Sequence, residues 1–143
     1  MIRSATIEDH PQIIELWERS VRATHHFLPE DYLNEIKLLL PTILPHADVY
    51  VFEDNDVIKG FTGVAEKKME MLFIDPASIG KGYGRMLAEF CIHTLHADKV
   101  DVNEQNEQAV KFYKKMGYQQ IGRQDLDSTG KPFPVLEMQY FTA

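Results

Sequence analysis

Apolar residues recur at helical spacing twice in the first third of the chain. Ile13, Ile14, Trp17 and Val21 follow Thr6, Glu8 and Asp9, a helix start with acid in its first turn. Tyr32, Leu33, Ile36 and Leu40 follow Pro29, and Pro41 and Pro45 are expected to end that second helix. A short strand over residues 2–5 precedes both, and between them lies "RATHHFLPED", dense in histidine and aromatic side chains. From Asp48 the period changes to two. "VYVFE" and "VIKGFTGVAE", separated by Asp54-Asn55-Asp56, predict an antiparallel hairpin, and "MEMLFI" predicts a third strand. A helix over 83–96, a strand over 100–103, a helix over 106–116 stopped by Gly117, and strands over 118–124 and 135–141 complete the pattern. The order β-α-α-β-β-β-α-β-α-β-β predicts an α/β fold with a mixed sheet.

Composition adds bounds. The 143 residues are 44% hydrophobic and 26% charged, one domain's worth of ordinary globular chain, and residues 1–143 show no repeat or linker. Cys91 is the single cysteine and falls on an apolar helix face, so it reads as a core residue in a reducing compartment. No apolar run approaches the roughly 20 residues of a membrane span, and a cytoplasmic protein is expected. The net charge of −7 disfavours general binding to nucleic acid or to an anionic membrane. An anionic ligand must therefore be met locally.

The stretch "FIDPASIGKGYGRML" supplies such a place. Strand, glycine-rich turn and helix start follow one another, with Gly80, Gly82 and Gly84 allowing close backbone approach to a phosphate at a helix N-terminus, and Lys81 and Arg85 beside it. A Walker loop is excluded because Gly82 follows Lys81, and the dinucleotide fingerprint because Arg85 stands where its third glycine belongs. His93 and His96 lack partners at ligand spacing, so no metal is expected.

"DPASIGKGYGRML" resembles the pyrophosphate motif of the GCN5-related N-acetyltransferases (GNATs), and "VNEQNEQAVKFYKKMGY" resembles their second signature, with Asn106, Ala109, Phe112-Tyr113 and Gly117-Tyr118 in register. Ile79 stands where the first motif carries Arg or Gln. The resemblance spans essentially the whole chain. It implies a mostly antiparallel mixed sheet flanked by helices, with one splayed central strand pair. It also implies acetyl-CoA as cofactor, held by Gly80, Lys81, Gly82, Tyr83, Gly84 and Arg85, with Asn106 on its arm and main-chain groups near Phe73 and Ile74 at the pantetheine and thioester. Tyr113 matches the family residue that protonates the departing thiolate. Glu70 is the candidate base, with Glu104 and a water chain as rivals. His25, His26 and Tyr32 fall where the family builds its acceptor pocket, although loop packing would also account for the histidines. The expected function is acetyl transfer to a primary amine, on a small molecule or a peptide, by direct attack. A CoA-binding module without turnover is the alternative, and pairing of the terminal strands would make a homodimer.

Overall fold

A computed structural model describes residues 1–141; the last two residues of the expected 1–143 domain lie outside them. The strands are β1 (Ile2–Ser4), β2 (Asp48–Asp54), β3 (Val57–Ala65), β4 (Lys68–Ile74), β5 (Lys99–Asn103), β6 (Tyr118–Gln124) and β7 (Val135–Tyr140). The helices are α1 (His10–Thr24), α2 (Glu30–Ile43), α3 (Tyr83–His93) and α4 (Glu107–Met116). One seven-stranded sheet runs in the order β1-β2-β3-β4-β5-β7-β6, with the β4–β5 pair parallel and its other neighbours antiparallel. This is the mixed, mostly antiparallel sheet that the element order and the resemblance predict.

Local chemistry explains the hairpins. Asn55 and Asp56 both take positive φ, 52° and 63°, which is the backbone of a two-residue turn matched to strand twist. Glu66 and Lys67 repeat the device between β3 and β4, with φ of 51° and 63°. Thr6 caps a 3₁₀ turn before α1 instead of α1 itself. Pro41 does not end α2; it sits inside it, on an exposed side, where the helical hydrogen bond it cannot make is left to water.

Alternation along β4 sorts the helices. Met71 and Phe73 join a cluster with Ile13, Trp17 and Val21 of α1 and Leu33 and Leu40 of α2, whereas Leu72 joins a cluster with Cys91 and Ile92 of α3 and Tyr113 of α4. Successive strand residues point to opposite faces, so the two helix pairs cover opposite sides of the sheet. The edges are β1 and β6. The strand open to a partner copy at that end is therefore β6 and not the terminal β7, and its ladder is interrupted at Ile121.

Candidate active site

The site begins at a defect in the sheet. On β3, Gly63 and Val64 are consecutive, but their partners on β4 are Met71 and Met69, which makes Glu70 an extra, bulged residue. Just there β4 parts from β5: the two pair only at Lys68–Lys99 and Met69–Val100. Beyond the bulge, main-chain groups of β4 have no strand on that side. The Asp75 N–H donates to the Lys59 carbonyl at 2.8 Å, so by alternation the N–H of Phe73 faces β3 while those of Leu72 and Ile74 face the gap. Of the two expected main-chain donors, only Ile74 is thus aimed into the opening; Phe73 contributes its ring.

The glycine turn forms the outer end. Gly80 and Gly82 adopt φ of +89° and +86°, a conformation that other residues take only with strain, and a Cβ on either would meet nothing within 4 Å. Gly82 caps α3, which leaves the first N–H groups of that helix free toward a cavity of about 410 Å³. Arg85 and Lys115 line it. Lys81 does not: it is exposed, and α4 supplies the second cation instead. Tyr83 has a structural task as well, since its ring stacks on Phe52 at 4.2 Å and its hydroxyl donates to Asp54 at 3.2 Å, pinning the turn to the β2–β3 hairpin. Positive charge, free N–H donors and an open cradle fit a pyrophosphate.

Ile74, Gly84 and Phe112 connect this cavity with a second one, about 190 Å³, which contains His25, Phe73, Asn106 and Tyr113. Asn106 caps α4 through Oδ1, which accepts from the Ala109 N–H at 3.3 Å. Tyr113 is only 6% exposed, and its ring meets Phe112 and Tyr118 edge-on at 5.2 Å. Burial, with Tyr118 beside it, pushes its phenol far above the usual range. Phe112 is the more open of the pair and lines both cavities.

Across the splay lies a cleft of about 620 Å³ with the carboxylates of Glu70, Asp101 and Asp127 on its wall. The Tyr32 hydroxyl donates to Asp127 and lies 2.7 Å from Thr129 Oγ1, which ties the β6–β7 loop to α2. Asp127 also accepts from the N–H groups of Thr129 and Lys131 at 3.0 and 2.9 Å. Removal of water by the cavity walls raises the Glu70 carboxyl, although its side chain keeps solvent access. Glu70 is the bulged residue of β4, while Glu66 sits in the β3–β4 turn at a φ of 51°. Glu104, the rival base, is held by Arg123 at 2.6 and 3.2 Å, which lowers its pKa and makes it a weaker base. His26 is exposed and lines none of these cavities, because α1 ends at Thr24 and the next ring turns outward. His25 faces the second cavity and Tyr32 the acidic cleft, so the three expected acceptor residues do not form one pocket.

Sequence reasoning missed Lys115, Asp101, Asp127 and the Ser20–Thr24 pair on α1. Only the last had a signal, two small polar residues four apart on an otherwise apolar helix face.

A splayed β4–β5 pair with a glycine turn at its open end defines a class of acyl-transfer protein, and comparison with known proteins names it. The model of the acetyltransferase (GNAT) domain matches residues 18–138, and the chain belongs to that family. It is an N-acetyltransferase with acetyl-CoA as acetyl donor. It is 42% identical over 140 residues, 97% of each chain, to peptidyl-lysine N-acetyltransferase YjaB of Salmonella typhimurium. The solution structure of apo-form YjaB from Escherichia coli superposes with a TM-score of 0.91 at 40% identity, covering 100% of this chain and 98% of that one. The PaiA N-acetyltransferase of Thermoplasma acidophilum, solved with coenzyme A, shares the fold at a TM-score of 0.72 and 21% identity over 98% of both chains. No helix among the described residues is long and apolar enough to cross a membrane.

Proposed function

We propose that the chain acetylates lysine ε-amino groups of polypeptides, with the amine attacking the thioester directly while both substrates are bound. The observation that carries this is the pairing of opposite environments across the bulge: a cationic, N–H-rich cavity on one side and a cleft with three carboxylates on the other. The first suits a polyanionic donor and the second a cationic acceptor. The YjaB proteins, named as peptidyl-lysine enzymes, support the same acceptor. The buried, unpaired Cys91 supports a reducing, cytoplasmic setting.

The residues divide the work. Acetyl-CoA supplies the acyl carbon and a thiol leaving group. The main-chain N–H groups of the α3 start, with Arg85 and Lys115, hold its pyrophosphate, and Asn106 meets its arm. The Ile74 N–H, already pointed into the gap, takes the charge that grows on the carbonyl oxygen, a role worth roughly 3 kcal/mol in related acyl transfers. A lysine arrives protonated, with a pKa near ~10.4, and Glu70, whose carboxyl desolvation raises, accepts the proton through water. The Tyr113 hydroxyl holds its proton at the sulfur end. Because burial raises that phenol, it serves by hydrogen bonding to the developing thiolate more than by surrendering the proton outright.

The test is acetylation of a peptide with one internal lysine and a free N-terminus, read by fragment mass spectrometry, beside a panel of small amines. Acetyl on the lysine nitrogen is expected. Turnover confined to the N-terminus or to small amines would refute the lysine assignment.

A further inference from the structure

His25 ends α1 inside the second cavity, and its neighbours dictate its chemical state. The Asn106 side chain accepts the Ala109 N–H through Oδ1, so the end of the amide that turns toward α1 is Nδ2, which can only donate. Nδ2 stands 3.5 Å from His25 Nε2, and that ring nitrogen must therefore offer a lone pair. At the other side of the ring, Nδ1 lies 2.7 Å from Thr24 Oγ1. The Thr24 hydroxyl commits its own hydrogen to the Ser20 carbonyl at 2.9 Å, so toward Nδ1 it can only accept. Each end of the chain independently requires the same tautomer: hydrogen on Nδ1, none on Nε2.

We propose that His25, as a neutral Nδ1-protonated ring, is a positioning residue that ties the end of α1 to the start of α4 and sets the Asn106 amide for the cofactor. Every member of the chain, Ser20, Thr24, His25, Asn106 and Ala109, lines the cavity that also holds Tyr113. The second hydrogen on Asn106 Nδ2 and the second lone pair on Oδ1 stay available to an amide of the pantetheine arm. Locking the rotamer in advance removes an ordering cost from cofactor binding. Burial, and secondarily the nearby His26, lowers the His25 pKa to about 4, so the ring stays neutral at physiological pH. A histidine that gripped the acceptor or took its proton would face the acidic cleft and titrate near neutrality, and His25 does neither. The functional half of this inference rests on the reading that this cavity receives the cofactor arm.

Two substitutions separate the acceptor nitrogen from the ring's bulk. In His25→Gln the amide oxygen reaches the place of Nε2 and can still accept from Asn106; in His25→Asn the shorter amide reaches only Thr24. Calorimetry with CoA should give His25→Gln an affinity within about threefold of the parent and His25→Asn one about tenfold weaker, the scale of one lost hydrogen bond. KM for a lysine peptide should be unchanged in both. On the unsubstituted protein, long-range ¹⁵N–¹H correlation of the imidazole should show a neutral Nδ1–H ring with no titration from about pH 5.5 to about pH 8. An Nε2–H tautomer, an imidazolium appearing near neutrality, or equal CoA affinities for the two variants would each overturn the proposal, and the first two are read even if the variants fail to fold. CoA that left the Asn106 and Tyr113 resonances unmoved would overturn the cofactor reading of the cavity, and with it the functional half of the proposal, whatever the tautomer.

Discussion

Replacing Tyr113 with Phe removes one oxygen and keeps everything else about the ring. The edge-on contacts with Phe112 and Tyr118 at 5.2 Å persist, and the residue stays in the cluster that joins α4 to the sheet. Folding should therefore change by less than about 0.5 kcal/mol, a shift of a few degrees or less in Tm. On the mechanism we propose, what is lost is a donor to sulfur at the moment charge forms there. A hydrogen bond to a charged partner contributes about 1.5–3 kcal/mol, which corresponds to roughly 10- to 150-fold in rate. Full proton donation would add more, up to ~10⁴-fold, but that requires a phenol able to release its proton readily. Burial has moved Tyr113 the other way. The structure therefore favours the lower part of the range, about 10²-fold.

The loss should fall on kcat and spare KM for acetyl-CoA, because the ground-state thioester sulfur is a poor acceptor and the bond strengthens only as the thiolate departs. Single-turnover measurement with saturating acetyl-CoA and a lysine peptide isolates the chemical step. A Tyr113→Phe protein with the parent rate in that assay would assign the residue to packing alone. A loss confined to cofactor affinity would refute the argument equally, since it would mean that the hydroxyl acts in the ground state.

Gly82→Asp should weaken CoA binding by at least ~10-fold in calorimetry, because the added charge faces the phosphates and the positive φ of 86° strains any side chain there, although the new Cβ itself meets open space. Glu70→Gln should lower kcat/KM by about 10²-fold and abolish the acid limb of its pH profile. In the parent that limb lies above the usual glutamate range, because desolvation raises the group and the base is active only once ionised. Asp127→Asn should raise KM for the peptide and leave CoA affinity unchanged, by loosening the loop that Tyr32 holds. Desolvation alone would raise the Asp127 carboxyl, but its donors Tyr32, Lys131 and Thr129 outweigh that and lower it. Its contribution to thermal stability is thus present above ordinary aspartate pKa values near ~3.9 and fades as pH falls below them, a fade the Asn variant should lack in a Tm-against-pH series.

Features set by neighbours in sequence are legible in the order of residues alone. The two-residue turn at Asn55-Asp56, the Asn106 cap and the positive-φ glycines 80 and 82 each depend on a few adjacent residues, and each stands where the pattern puts it. What stays hidden depends on partners far along the chain. Glu70 is the candidate base that the resemblance implies, but the bulge at that residue exists only in the pairing of β4 with β3. Glu104 reads as equally free, yet Arg123, nineteen residues on, claims it. Tyr32 meets Asp127 across ninety-five positions, and no local signal announces that contact. The lysine beside the phosphate cavity is Lys115 and not Lys81: both side chains are exposed, but α4 sets Lys115 on the cavity wall while the turn leaves Lys81 off it.

The bulge also resolves an electrostatic conflict. A chain of net charge −7 must hold a polyanion, and its acceptor carries a positive charge that has to be lost before the amine can attack. One pocket serving both would attract one partner at the cost of the other. The extra residue at Glu70 opens the sheet between β4 and β5, and the two requirements then sit on opposite sides of the same gap. The helix start with Arg85 and Lys115 lines the cavity we propose for the donor; Glu70, Asp127 and Asp101, the last paired with Lys68 at 2.9 Å, line the cleft we propose for the acceptor. Desolvation raises the Glu70 carboxyl, and that residue sits at the bulge itself. On the mechanism we propose, an ammonium entering the cleft gives up its proton to Glu70 through water, beside the strand whose Ile74 N–H faces the gap. A single inserted residue on β4 thus marks the point where the strands part and sets Glu70, the base we propose, on the wall of the acidic cleft.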